Sequence, residues 1–195
     1  MPRGLRPAAA AAVVIALSLV GCGCDRAAPD KGTAADGASF TPLTRLAGIH
    51  VDGGLPADVA GPATILSEVR YGRSRLIAYV TGDSCGILAT PAADPEAGPI
   101  RLVSKWPAGS EGSSRHPAGP YNSASAAGPH GWASLLCGRN AMVIEYDPGG
   151  DGGVPVQARG ETGVTPVGDR PAVSRVVVGG TEARRRIGDR VGSGP

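Results

Sequence analysis

The chain has 195 residues, with 19 Lys and Arg against 17 Asp and Glu, and four cysteines. That length accommodates one domain with a sizeable core plus a non-globular segment, and the near-balanced charge leaves no electrostatic footprint for nucleic acid. Its 31 Gly and 18 Pro disfavour helices and predict long irregular connections between short elements.

The first residues carry Arg3 and Arg6, and residues 8–20, AAAAAVVIALSLV, carry no charge. A basic start followed by a short apolar run has the layout of a secretory leader. The run is too short for a spanning helix, which needs roughly 20 apolar residues, and it ends at Leu19-Val20-Gly21-Cys22. This stretch resembles the lipobox of bacterial lipoproteins, with Leu three residues before the cysteine and a small residue just before it. The resemblance covers residues 1–22 and implies cleavage after Gly21, diacylglycerol on Cys22 and a further acyl chain, such as palmitate, on the new amino group. It also implies a membrane partner reached through the N-terminal lipid, at the extracytoplasmic face of the cell membrane; two or three acyl chains anchor stably where one does so only marginally. Cys24 is the weaker acceptor, because Gly21 would then stand where the pattern wants leucine. No Arg-Arg pair precedes the run, which favours the general secretory route.

Residues 22–39 continue as CGCDRAAPDKGTAADGAS, without an aromatic or a branched apolar side chain that could repay ordering. A disordered tether is expected there. From residue 40 the composition changes, and short apolar runs bounded by Gly and Pro recur at strand-like lengths. Residues 65–71 and 76–80, joined by Gly72-Arg73-Ser74, read as a hairpin, as do residues 135–137 and 142–146, joined by Gly138-Arg139-Asn140. Three-residue turns are expected in both. Residues 87–90, 100–106 and 176–178 read as further strands. A helix over residues 57–70 is interrupted by Gly61-Pro62. Residues 107–131 are small and polar, and read as one long loop. Residues 181–195 carry Arg184, Arg185, Arg186 and Arg190 with few apolar residues, and read as a disordered basic tail open to anionic lipid headgroups or wall polymers.

The expected organisation is therefore a leader over 1–21, a tether over 22–39, a mainly β domain over 40–180 and a tail over 181–195. The β domain is expected to be a single small sandwich or barrel-like unit with long Gly/Pro-rich loops. Cys85 and Cys137 both fall in strand-like runs, and pairing them in a disulfide is the economical assignment for an exported chain. Cys24 is then left over, as a second acylated thiol, a free thiol or a link to another chain.

The stretch Val80-Thr81-Gly82-Asp83-Ser84-Cys85-Gly86 places a Gly-Asp-Ser triplet after an apolar run. It resembles the nucleophile segment of GDSL-type esterases, and that of trypsin-like proteases, which implies a nucleophilic Ser84 in either case. The esterases also need a downstream Asp-x-x-His, whereas His130 is the last histidine and has no Asp three residues before it; upstream of Ser84 the only histidine is His50. A turn at Asp83-Ser84 explains the triplet without chemistry. No metal is expected: His50 and Asp52 can share a strand face but lack a third ligand, and the glycine-rich stretch around Asp147 and Asp151 lacks the closing glutamate of a calcium loop. No cofactor loop is present. The sequence thus implies a lipid-anchored envelope protein that binds or scaffolds an envelope polymer or protein, with a serine hydrolase using Ser84 as the alternative.

Overall fold

A computed structural model describes residues 39–90, 98–128, 131–149, 154–168 and 170–192. The expected leader and tether, with Cys22 and Cys24, lie outside the described residues, as do His130 and Asp151. Among the described residues, ten strands build two five-stranded antiparallel sheets packed face to face, a β-sandwich that does not close into a barrel. The first sheet comprises β1 (Thr64–Tyr71), β2 (Ser74–Thr81), β3 (Ser84–Thr90), β4 (Ile100–Lys105) and β8 (Gln157–Gly160), in the order β4-β3-β2-β1-β8. The second comprises β5 (Asn122–Gly128), β6 (Gly131–Cys137), β7 (Ala141–Asp147), β9 (Thr162–Val167) and β10 (Arg170–Gly179), in the order β5-β6-β7-β10-β9.

Both expected hairpins form. The β6–β7 connection has the expected three residues, but Tyr71 pairs directly with Ser74, so Gly72-Arg73 alone closes β1–β2. Gly72 takes φ 60° and Gly82, in the β2–β3 turn, φ 56°; a glycine in the left-handed region lets two residues reverse the chain. Consequently Ser84 is not a turn residue. It is the first residue of β3, paired with Thr81 on one side and Lys105 on the other.

The interior follows from strand alternation. Val69 and Tyr71, Ala78 and Val80, Cys85 and Ile87 face Ala133 and Leu135, Ile144 and Tyr146, Val176 and Val178 in one cluster between the sheets. Tyr71 meets Tyr146 edge-on with ring centroids 5.3 Å apart, and burial pushes both phenols up to about 12. Cys85 and Cys137 are disulfide-bonded, with Cα atoms 5.6 Å apart, so the bridge ties β3 to β6 across the core. Where the chain passes from β8 to β9 it changes sheet, and Gly160 at φ 86° is required: a Cβ there would lie 2.1 Å from the Leu66 carbonyl oxygen.

Two further expectations are corrected. The expected loop over residues 107–131 contains β5, NSASAAG, in which alternate residues are exposed while Ala124 and Ala126 pack on the core. Its side chains are too small to announce a strand, and its order comes from the ladder with β6. The expected disordered tail contains α2 (Thr181–Gly192). Ala183 and Ile187, four residues apart, are buried with Val143 and Val177 on the outer face of the second sheet. Opposite charges spaced one turn apart support the helix from outside: Arg185 pairs with Glu182 at 2.8 Å and Asp189 at 2.9 Å, and Arg186 with Glu182 at 2.6 Å. Between residues 57 and 70 the only helix is the single turn α1 (Ala57–Ala60), ended before Gly61-Pro62.

Candidate functional site

The Ser84 hydroxyl donates to Asp83 Oδ1 at 3.0 Å, and Ser84 is only 8% exposed. Its neighbours Cys85 and Ile87 point into the core, so Ser84 lies on the outer face of the first sheet. His50 is near a different part of that sheet, since its carbonyl accepts from Arg159 Nη2 at 3.2 Å and Arg159 pairs with Glu68 of β1. Ile49 N, next to His50, donates to Ile65 O of β1, and β1 lies two strand spacings, about 10 Å, from Ser84 on β3. His116 sits on the other side of the sandwich, its ring 6.4 Å from that of Tyr121, which belongs to the cluster outside the second sheet. The described histidines and Ser84 are therefore not brought together. Among the described residues, no three His, Cys, Asp or Glu side chains gather as metal ligands.

The outer face of the first sheet is instead organised around Glu68, whose side chain is fully buried. Arg70 Nε donates to its Oε1 at 3.1 Å, Arg159 Nη1 to its Oε2 at 3.3 Å, and Arg75 Nη1 lies 3.8 Å from Oε1. Strand pairing dictates this: Glu68 is opposite Arg159, and Arg70 is opposite Arg75. The arginines then reach outward. Arg159 holds the His50 carbonyl and Arg75 the Asp52 carbonyl at 2.7 Å, while Arg101 of β4 pairs with Asp58 of α1. Between these pins Val51 is buried with Ile77 and Leu88. Residues 49–58 are thereby fixed across this face, and the cluster has a complete structural explanation.

The outer face of the second sheet is divided. At one end Ala183 and Ile187 of α2 and Ala118 and Tyr121 of the loop over residues 107–121 cover Val143 and Val177. Ala118 takes φ 68°, unfavourable for a residue with a Cβ, and its carbonyl accepts from Asn140 Nδ2 at 3.5 Å. Burial, with Arg175 and Arg115 nearby, holds the His116 imidazole below its usual value. At the other end Trp132, Ser134, Glu145, Asp147 and Arg175 face outward, because Ala133, Leu135, Ile144, Tyr146 and Val176 face in. Trp132 is paired with Asp147 and Ser134 with Glu145. Arg175 Nη2 donates to Glu145 Oε1 at 2.8 Å, and the Asp147 carboxylate accepts from Gly149 N at 2.9 Å. Ser125, Ala127 and Thr165 around them are exposed, and Trp132 and Ser134 are half-buried.

Comparison with family models, curated proteins and solved structures finds no match. The site must therefore be argued from its own chemistry. This half of the second sheet's outer face offers one indole, a carboxylate and guanidinium fixed on each other with 27% and 14% exposure, and small side chains beside them. Sequence reasoning passed over Trp132, although a signal exists: with Cys137 pointing inward, counting back by twos puts Leu135 and Ala133 inside and Trp132 outside.

Proposed function

We propose that this chain is a lipid-anchored envelope protein whose β domain acts as a binding module at the extracytoplasmic face of the cell membrane. The observation that carries the proposal is Leu19-Val20-Gly21-Cys22 at the end of an uncharged run after Arg3 and Arg6. The Cys85–Cys137 bridge supports it, because such bonds persist in oxidising compartments outside the cytoplasm. Partly exposed polar groups already fixed on one outer face of the β-sandwich support binding over catalysis. A serine hydrolase finds less support: the Ser84 hydroxyl is turned to Asp83, and the described histidines lie elsewhere.

The test is the mass of the mature N-terminus after expression of the full chain in a bacterium with the lipoprotein-processing machinery. The expected product begins at Cys22 and carries diacylglycerol, with or without a further acyl chain, and Cys22→Ala abolishes both the modification and recovery in the membrane fraction. An unmodified Cys22, or cleavage at another residue, contradicts the proposal.

A further inference from the structure

We infer that the end of the sandwich formed by residues 39–46, the β6–β7 turn and α2 rests on an anionic phospholipid surface, the bilayer that holds the Cys22 lipid. This names the side that the domain turns to the membrane, and it rests on the lipid anchor proposed above.

The entry of the chain into the domain decides which side this is. Ser39 is exposed, and Phe40 packs on the cluster that holds Ala183 and Ile187 of α2, with the Arg186 guanidinium 5.7 Å from its ring centroid. Thr41 lies against Gly180, just before α2, and Leu43 N donates to the Arg139 carbonyl in the β6–β7 turn at 2.9 Å. The chain arriving from Cys22 therefore enters beside α2. Cys22 precedes Phe40 by 18 residues, a span of at most about 60 Å. A tether of that length keeps the entry point at an effective concentration of ~1 mM near the lipid, so an attraction too weak to recruit a free protein suffices to orient this one.

Charge selects the same side. Residues 39–195 carry 15 Lys and Arg against 14 Asp and Glu. Residues 39–46, the turn over 138–140 and α2 hold six of those bases, all arginines, against Glu182, Asp189 and the Glu161 that pairs with Arg184; the remainder holds nine bases against 11 acids. Positive charge is thus gathered where the chain enters, on a domain that is otherwise slightly acidic. Arg45, Arg139, Arg185 and Arg190 are exposed, and among the described residues Arg45 and Arg190 meet no carboxylate. Such groups are drawn to anionic headgroups within about a Debye length, ~8 Å at physiological salt. Nearby charges do not undo the excess: Lys105 offsets Asp83 beside Trp106, and the loop over residues 107–121 carries Glu111 and Arg115. Because Ala183 and Ile187 seat α2 on the second sheet, its arginines turn with the domain as one body.

The experiment places the processed full chain in vesicles of phosphatidylcholine alone, and in vesicles of phosphatidylcholine with an equal part of phosphatidylglycerol, and maps hydrogen–deuterium exchange. Slower exchange over residues 40–46 and 181–192 is expected on the anionic vesicles only, and high salt removes it. Arg185→Gln combined with Arg190→Gln loses this protection. Arg73→Gln combined with Arg170→Gln keeps it, because those exposed arginines lie at the opposite end of the sandwich, where Tyr71 meets Tyr146. Melting curves of both double variants stay close to the parent's, so lost protection is not lost folding. Equal protection on the two kinds of vesicle, as pairing with a second copy of the chain would give, overturns the inference; so does protection that survives Arg185→Gln with Arg190→Gln, or none at these residues. The mass of the N-terminus is read on the same sample. An unmodified Cys22 overturns the anchor and this inference together, whereas lipid on Cys22 with α2 unprotected overturns this inference alone.

Discussion

On the outer face of the first sheet, Glu68 has no side-chain exposure and holds three arginines; on that of the second, Glu145 keeps 27% exposure and holds one. The same device, a carboxylate opposite a guanidinium in an antiparallel ladder, serves two purposes. Around Glu68 the guanidiniums go on to bind the His50 and Asp52 carbonyls, so a segment with little regular structure becomes part of the sheet's covering. Around Glu145 the single pair with Arg175 lies near His116 of the loop over residues 107–121. Apolar contact supplies the covering of that sheet, through Ala183 and Ile187 of α2, and it stops short of Trp132.

The largest expected effect concerns what both faces share. Replacing Cys85 and Cys137 together by Ala releases a closed loop with sequence separation 52. About 4 kcal/mol of stability should go in the loop-closure description, read as a shift of the denaturant midpoint that reductant reproduces in the parent. If both leave the midpoint unmoved, the bridge does not hold the sheets. Next comes the contrast between the two carboxylates. Glu68→Gln leaves arginines facing a neutral group in a buried place and should cost about 2 kcal/mol, below the range for fully buried pairs because the arginines stay partly exposed. Glu145→Gln, which weakens one pair rather than three, should cost less, about 1.5 kcal/mol. Equal costs in urea unfolding would erase the distinction drawn between the faces.

Much of this layout was legible in the sequence. Alternating apolar residues and Gly turns marked β1, β2, β6 and β7, and cysteines within strand-like runs marked the bridge. α2 was hidden because only Ala183 and Ile187 anchor it, and two small or medium apolar residues one turn apart look like solvated sequence. Its pairing signal, Glu182 followed by Arg185 and Arg186, has the same composition as a solvated charge run. β5 was hidden because Ser and Ala become a strand only beside β6. The Glu68 cluster joins residues 91 apart, and His50 is joined to Arg159 over 109; no local pattern announces either.

The smallest expected effect is one of pH. Burial, then Arg175 and Arg115, depress His116 in the folded chain, so the unfolded chain binds the proton more readily. Its contribution to stability is fully present above the unfolded value of about 6.5 and is lost as pH falls below that value toward the lower folded one. Melting curves between neutral and mildly acidic pH should show this loss, reduced in His116→Asn. An unchanged pH slope in that variant would remove His116 from the account.

The most direct test of the division between the faces is hydrogen–deuterium exchange of the full chain as the parent and as Glu68→Gln. Protection is expected to fall in β1 and β8 and over residues 49–58, with β6 and β7 around Glu145 unchanged. Unchanged protection over residues 49–58, or an equal loss in β6 and β7, would contradict the account.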